Sequence, residues 1–179
     1  MLYFPPWLQS ENSVNITFDI FTATADLVKE QMDKGLLDLG LLLEPIDMGK
    51  YDFIRMDIKE KWVVLMQPDD PLAEKEFITA SDLSKLPLIL PRRMQVQSEL
   101  ASWFGDYYQN LDVLFISNLS TNGAVMVNQG LAYSLVIEGA VPFWDSSKVI
   151  YLFAYFCNTQ VTFSDKMKEI RYNKPKISF

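Results

Sequence analysis

The sequence predicts an α/β protein of two doubly wound lobes with a cleft between them. An amphipathic helix near residues 25–35 is followed by a short apolar strand pattern, and a strict alternation of strands and helices runs from Pro87 to Ile137. Extended segments connect these two regions. Such alternation is typical of parallel sheets that carry helices on both faces. The 179 residues are enough for two small lobes.

The first unit is predicted to be strand, helix, strand. Asn15–Phe21 alternates apolar and polar residues, which favours a strand. Thr24 is a candidate N-cap for the helix that follows, and Gly35 fits the position that ends it. Leu39–Leu43 is apolar at every side-chain position, which indicates a strand covered by helices on both faces. We therefore expect a parallel βαβ unit with a right-handed crossover.

Two further strands are predicted in the middle of the chain, at about Phe53–Ile58 and Lys61–Gln67. A proline-bounded loop follows them, and Thr79 with Asp82 forms a capping-box pattern at the start of a short helix.

The second unit is predicted to be β-α-β-α-β. Its strands are expected within Pro87–Pro91, Asp112–Ser117 and Leu131–Ile137, and its helices within Gln97–Asn110 and Ser120–Gly130. Ligands of doubly wound folds bind at the carboxyl ends of the strands, so we expect the site in the cleft there.

Composition excludes several classes of function. The net charge of −7 argues against this chain gripping a nucleic-acid backbone by itself. The absence of His removes His-based triads and HExxH zinc sites, and no GxSxG, GxGxxG or P-loop pattern appears. A carboxylate-only or Lys-based active site stays open, but no feature points to one, so we expect no enzyme activity, no metal site and no cofactor. The single Cys157 favours a reducing compartment, and neither an export signal nor a transmembrane run is visible.

Three motifs occur in a specific order along the chain. They are "G-x-LD-x-G-x-L" after the first helix, "V-x-LM…D-x-PLA" followed by "T-x-x-DL…LPLI", and "V-x-x-GL-x-Y-x-L" near residue 130. With these motifs, the chain from about Ile16 to Val149 resembles the effector-binding domain of LysR-type transcriptional regulators.

The resemblance implies a periplasmic-binding-protein-like fold of type 2. It also implies a cytoplasmic, oligomeric regulator in which a small-molecule effector binds between the lobes and changes how the DNA-binding heads sit on a promoter. By this resemblance, residues 1–63 are lobe I, residues 64–148 are lobe II and residues 149–179 return to lobe I. Self-association is expected through the strand and helix of lobe I, and no membrane partner is expected.

The chain departs from the family pattern at both ends. It begins near "PPWLQSEN", where the first helix of lobe I is expected, so we expect the winged helix-turn-helix and the first strand of lobe I to be missing. The resemblance fades after about Val149. We therefore expect a truncated product that does not bind DNA directly, with a loosely packed lobe I. Lobe closure is expected around strands near Trp62–Gln67 and Lys148–Leu152.

Effector-binding residues are expected where strands end. Hydroxyl, amide and guanidinium groups beside helix N-termini suit polar or anionic ligand groups. Capping is the structural alternative for the hydroxyl residues, and a solvated surface position is the alternative for Arg92 or Arg93. If one of these arginines faces the cleft, the effector is expected to be an organic anion. The candidates are Thr22, Thr24, Pro91, Arg92, Ser117, Asn118, Ser120 and Thr121.

Two other classes of protein share this scaffold. One is a stand-alone type 2 solute-binding protein of a transport system, which needs an export signal or a lipid-anchored early Cys. The other is a two-lobed enzyme, against which the absence of His and of cofactor motifs weighs. The regulator is the interpretation that we adopt.

Overall fold

The computed structural model describes residues 17, 19–44, 47, 49–55, 60–141, 145–155 and 167–171. Residues 54–55 and 167–171 are described by their backbone. The helices are α1 (Ala25–Asp33), α2 (Ala80–Leu83), α3 (Met94–Phe104) and α4 (Ser120–Asn128). The strands are β1 (Leu39–Leu43), β2 (Asp52–Arg55), β3 (Trp62–Met66), β4 (Leu88–Pro91), β5 (Val113–Ser117), β6 (Tyr133–Ile137), β7 (Ile150–Phe153) and β8 (Met167–Arg171).

The larger sheet has the strand order β5-β4-β6-β3-β7. Strand β4 pairs in parallel with β5 and β6, while β3 runs antiparallel to β6 and β7. Helix α3 connects β4 to β5, and α4 connects β5 to β6. The predicted β-α-β-α-β unit is therefore confirmed, and with it the α/β fold class.

Strand β3 lies inside the larger sheet, and all five of its residues are buried. Its alternate side chains point to opposite faces, as the two-residue period of a strand requires. The face covered by α2 and α3 has a core that includes Trp62, Val64, Leu90, Leu100 and Phe104. The core of the face covered by α4 includes Val63, Leu65, Ile89, Val127 and Val136.

The smaller sheet has the order β1-β8-β2, and both of its pairings are antiparallel. The expected parallel βαβ unit is therefore wrong in this part of the chain. Helix α1 packs on β1 through Val28 and Met32. The two elements approach so closely that a Cβ at Gly40 would lie only 2.7 Å from the Sδ atom of Met32. Glycine at this position therefore permits the contact.

The strand expected at Asn15–Phe21 is not present among its described members, residues 17 and 19–21. Ile20 and Phe21 are exposed. Alternation of apolar residues favours a strand, but a strand forms only where a neighbour offers hydrogen bonds. Residues 15, 16 and 18 lie outside the described residues, as does the segment "PPWLQSEN".

Strand β1 is not covered on both faces, contrary to the expectation from its composition. Gly40 and Leu42 are buried against α1, whereas Leu39 is 54% exposed and Leu41 is half-buried. An apolar run fits a doubly covered strand, but here only one helix among the described elements packs on it.

Local signals for helix ends are confirmed. Thr24 is the N-cap of α1, and Gly35 closes that helix with φ 68°. Thr79 and Asp82 form a capping box in which each side chain accepts from the backbone N–H of the other residue. Gly130 follows α4 with φ 69°. These features depend only on residues close to each other in the chain, so they can be predicted from the sequence.

The strands expected to form the hinge lie inside the larger sheet. Trp62–Met66 is buried in β3, and Ile150–Phe153 forms the edge strand β7. The expected lobe closure around these strands stays a prediction. The boundaries 1–63, 64–148 and 149–179 stay predictions. No helix in the described part of the chain is long and apolar enough to cross a membrane.

Tyr133, at the amino end of β6, is linked to Asp70, and the link makes stability depend on pH. The Tyr133 hydroxyl donates to Asp70 Oδ2 at 2.5 Å. Burial, followed by this hydrogen bond, raises the pKa of Tyr133 to about 12. Since the folded protein holds this proton more tightly than the unfolded chain does, the contribution is present below pH 10 and is lost as pH rises from 10 to 12.

We expect the stability difference between the wild type and Tyr133→Phe to shrink by on the order of 1–2 kcal/mol between about pH 9 and pH 12. Urea unfolding at a series of pH values measures it. All other residues are the same in both proteins, so the difference isolates Tyr133. A difference that does not change with pH would contradict the assignment.

Candidate functional site

A cavity of about 840 Å³ lies between the two sheets. On one side it is bounded by the carboxyl ends of β4, β5 and β6, at Pro91, Ser117 and Ile137. On the other side it is bounded by the start of α1 and by β1. Volumes of 300–1,000 Å³ are typical of sites for small organic ligands.

Six of the eight predicted site residues line this cavity, and two do not. Thr22 and Thr121 are exposed and lie outside the lining. The other six come from three separate segments of the chain, so the fold brings them together. They are Thr24, Pro91, Arg92, Ser117, Asn118 and Ser120. Their role in binding an effector stays a prediction.

Thr24 lines the cavity as the N-cap of α1. Its side chain makes no capping hydrogen bond, whereas its backbone carbonyl accepts from the N–H of Val28 at 3.0 Å. The hydroxyl is therefore not used to cap the helix, which leaves it available to a ligand. Thr22 lies two residues earlier and does not share this position.

The hydroxyl and amide residues at the end of β5 and just after it make different contacts. Ser117 Oγ donates to the carbonyl of Leu119 at 2.8 Å, so this hydroxyl is used within the loop. Leu119 is the N-cap of α4 and makes no side-chain cap hydrogen bond. The capping alternative is therefore wrong for Ser117 and Ser120, since the loop places Leu119 at the cap position. Asn118 and Ser120 line the cavity beside the N-terminus of α4.

The two arginines after β4 differ in their environment. Arg92 is exposed, and its backbone N–H donates to the carbonyl of Ser117 at 2.8 Å. Within the described part of the chain, its guanidinium has no hydrogen-bond or ion-pair partner. Arg93 is half-buried, and its Nη1 donates to the carbonyl of Leu43 at 3.1 Å. Arg93 thereby connects the start of α3 to the end of β1.

The charge on Arg93 is influenced from both sides of the cavity. Burial lowers the pKa of Arg93, while the carboxylates of Asp26 and Glu99 oppose that shift. Asp26 belongs to α1 and Glu99 to α3. An arginine keeps its charge in proteins, so this guanidinium stabilises the contact between the two sides by charge as well as by its hydrogen bond.

Four acidic residues line the cavity, and sequence analysis named none of them as site residues. Glu60 accepts from the backbone N–H of Gly139 at 2.7 Å, which holds the chain after β6 against the segment before β3. Asp26 lies in the first turn of α1, a position that by itself indicates only a favourable helix end. Glu99 carried no local signal, since it lies within a predicted helix, whereas Glu44 and Glu60 follow the strands predicted at Leu39–Leu43 and Phe53–Ile58. The four are Asp26, Glu44, Glu60 and Glu99.

Apolar side chains fill much of the remaining lining. Leu41 and Leu43 come from β1, Trp62 from β3, and Ile137 from β6 with Ala140 after it. Trp62 belongs to the core and also reaches the cavity. The residues at the end of β6 could have been predicted as site residues from the sequence. The rule that ligands bind at the carboxyl ends of parallel strands, which indicated Ser117, applies equally to β6.

Among the described residues, no group of three or more His, Cys, Asp or Glu side chains is placed to hold a metal ion. Acidic groups, basic groups and apolar walls face one space. Such a lining suits the binding of a small organic molecule with charged and apolar parts.

A family model described as the LysR substrate binding domain matches residues 3–153. The chain is also 32% identical over 140 residues to the uncharacterized HTH-type transcriptional regulator YvbU of Bacillus subtilis. That alignment covers 76% of this chain and 46% of the relative.

Solved structures with the same fold include HinK, a LysR family transcriptional regulator from Pseudomonas aeruginosa, with a TM-score of 0.65 and 18% identity. That match covers 83% of this chain and 52% of HinK. The Corynebacterium glutamicum OxyR C206 mutant matches with a TM-score of 0.64 and 19% identity, over 86% of this chain and 48% of that one. The chain thus spans about half the length of these proteins.

Proposed function

The chain belongs to the LysR substrate binding domain family, and we propose that its cavity binds a small organic acid whose carboxylate contacts Arg92. Members of this family are effector-binding regulatory domains of transcriptional regulators. The observation that carries the proposal is the position of Arg92 in the lining, exposed and with no side-chain partner among the described residues.

The surroundings of Arg92 support a carboxylate there. The N-terminus of α4 lies in the same wall, and helix N-termini carry a partial positive charge of about half a unit. Asn118 and Ser120 add hydrogen-bonding groups beside it. A carboxylate bonded to a guanidinium is among the strongest hydrogen-bonded pairs in proteins.

The proposed action of the ligand is to change how the two sheets sit relative to each other. Both sheets contribute to the lining, so a ligand that contacts both favours the closed arrangement by its differential affinity. In the whole regulator, this change would alter DNA binding by a separate head. The cavity would bind its ligand without catalysing a reaction on it. The protein would act in the cytoplasm. The relatives reported above are transcriptional regulators, so they do not support the alternative role in transport.

We propose that self-association uses α1 and the edge of β1 that has no partner strand among the described residues. In the smaller sheet, β1 is an outer strand, and the nearby Leu27, Leu36 and Leu39 are exposed. An outer strand with exposed apolar residues readily pairs with a second chain. The chain alone, with a net charge of −7, would not bind promoter DNA, and a gel shift with the purified chain tests this.

A thermal-shift screen of small organic acids against the purified chain tests the ligand proposal. A ligand at about 100 times its Kd stabilises the folded state by about 2.7 kcal/mol, which raises Tm by roughly 5–10 °C for a chain of this size. Arg92→Gln is expected to weaken binding of such an acid at least about tenfold, since it removes a charge-assisted hydrogen bond.

Lys85→Gln is the matched control, because Lys85 is exposed and lies outside the cavity lining. It removes the same charge and should leave affinity unchanged. If no small organic acid stabilises the wild type, or if both variants bind equally, the proposed function of this cavity is wrong.

A further inference from the structure

The two walls of the cavity differ in charge, and this difference indicates the chemical class of the ligand. We propose that the ligand is a zwitterion resembling an amino acid with an apolar side chain, its cationic group on the wall formed by α1 and β1 and its carboxylate at Arg92. The inference rests on the proposed function and goes further by adding the cationic group.

The wall formed by α1 and β1 is acidic. Its described lining residues run from Ala23 to Asp26 and from Leu41 to Glu44, and they include two carboxylates and no Lys or Arg. The N-terminus of α1 contributes only about half a positive charge. The sign of this wall is therefore negative, and the backbone carbonyl of Leu43 adds an acceptor.

Arg93 shows that this wall binds a cation. It reaches across from the start of α3 and donates to the carbonyl of Leu43 at 3.1 Å, within the electrostatic influence of Asp26. Arg93 is half-buried in this position, so its hydrogen bond to Leu43 is made with reduced contact to water. A ligand ammonium group would find the same kind of partners on this wall.

The opposite wall provides for a carboxylate. Arg92 and the N-terminus of α4 lie there, and Arg92 is the cation of the lining that has no side-chain partner within the described residues. Glu60 and Glu99 lie on the same wall; Glu99 acts on Arg93, and Glu60 accepts from the backbone N–H of Gly139. A purely cationic ligand would leave Arg92 unpaired as the cavity closes, which is costly for a desolvated charge.

The charge balance of the lining also disfavours a simple anion. Its charged side chains are four carboxylates and two guanidinium groups, an excess of two negative charges among the described residues. A monoanion would raise that excess, whereas a zwitterion leaves it unchanged and satisfies both walls. Leu41, Leu43, Trp62 and Ile137 provide apolar contact for the side chain of such a ligand.

The test uses matched triples of compounds on the full chain, measured by thermal shift and then by calorimetry. One triple is L-phenylalanine, 3-phenylpropanoate and phenethylamine; the other is L-leucine, 4-methylpentanoate and isoamylamine. Each triple keeps the side chain and changes only the charged groups. We expect an amino acid to bind at least about tenfold tighter than its acid or its amine, since each of these lacks one charge-assisted contact.

Two variants locate the charged groups. Asp26→Asn is expected to weaken amino-acid binding about tenfold or more and to leave binding of the deaminated acid unchanged. Arg92→Gln is expected to weaken both compounds. Asp69→Asn is the matched control for Asp26→Asn, because Asp69 is exposed and outside the lining.

Each outcome distinguishes the two proposals. If an acid binds as tightly as its amino acid, and Arg92→Gln weakens it, the zwitterion inference is overturned and the proposed function stands. If neither amino acid binds while other organic acids of the screen do, the zwitterion inference is again overturned and the proposed function again stands. If nothing in the screen or the triples binds, both proposals are overturned.

Discussion

Phe104→Ala is expected to destabilise the protein by about 3–5 kcal/mol, the usual cost of removing a buried aromatic side chain. Phe104 ends α3 and is only 1% exposed. It belongs to the core between α3 and the larger sheet, together with Leu100 and Val64. Its ring also lies 4.7 Å, centroid to centroid, from that of Trp103, in an edge arrangement that adds to the packing energy.

The measurement is urea unfolding of the variant beside Phe21→Ala. Phe21 is 45% exposed, so the same truncation there should cost less than about 1 kcal/mol. Phe104→Leu provides a milder change if the alanine variant does not fold, and it should lie between the wild type and Phe104→Ala. Equal losses for the two Phe→Ala variants would show that α3 does not depend on this core contact.

The consequence reaches the cavity, because α3 carries several of its lining residues. Arg93 is the N-cap of α3, and Val96 and Glu99 lie in its first two turns. Loosening the end of the helix at Phe104 would allow its start to move. We therefore expect weaker ligand binding in the folded fraction of Phe104→Ala as well as lower stability.

Gly123→Val is expected to cost about 1–3 kcal/mol through overpacking between α4 and β6. Gly123 is buried, and a Cβ at this position would lie 2.6 Å from Ser134 Oγ and 3.4 Å from Ser134 Cβ. Ser134 is itself 3% exposed in β6, so neither group can move into solvent. The helix must shift away from the sheet to admit the larger side chain.

Thermal unfolding beside Asn122→Val measures this effect. Asn122 is exposed on the same helix, and Asn and Val have similar helix propensities, so the control should change stability by less than about 0.5 kcal/mol. Since α4 begins at Ser120 in the cavity lining, the shift should also weaken ligand binding. A Gly123→Val protein as stable as the control would mean that the close approach of α4 and β6 is not required.

The second doubly wound unit could be predicted almost completely from the sequence. Its helices and strands are short segments whose apolar periodicity, caps and closing glycines are all local, as at Gly130. Three parallel strands that alternate with helices then require one edge where all the strands end. Pro91 and Ser117 could be placed at that edge without any knowledge of the structure.

The smaller sheet could not be predicted in the same way. Leu39–Leu43 was correctly interpreted as a strand, but its neighbour in the sheet is β8, with Leu43 opposite Met167 near the other end of the chain. Backbone hydrogen bonds are chemically alike along every strand, so periodicity does not say which strand will be the partner.

What the sequence by itself determined about this protein is its family, its α/β class and the edge of the larger sheet where a ligand would bind. Only the tertiary structure decided the antiparallel pairing of β1, the single covered face of that strand and the acidic wall opposite Arg92. The reason is physical: secondary structure and capping depend on residues a few positions apart, whereas strand pairing and the charge of a cavity depend on residues that folding brings together. Arg93 and Leu43, joined across the cavity by a 3.1 Å hydrogen bond, are fifty positions apart in sequence.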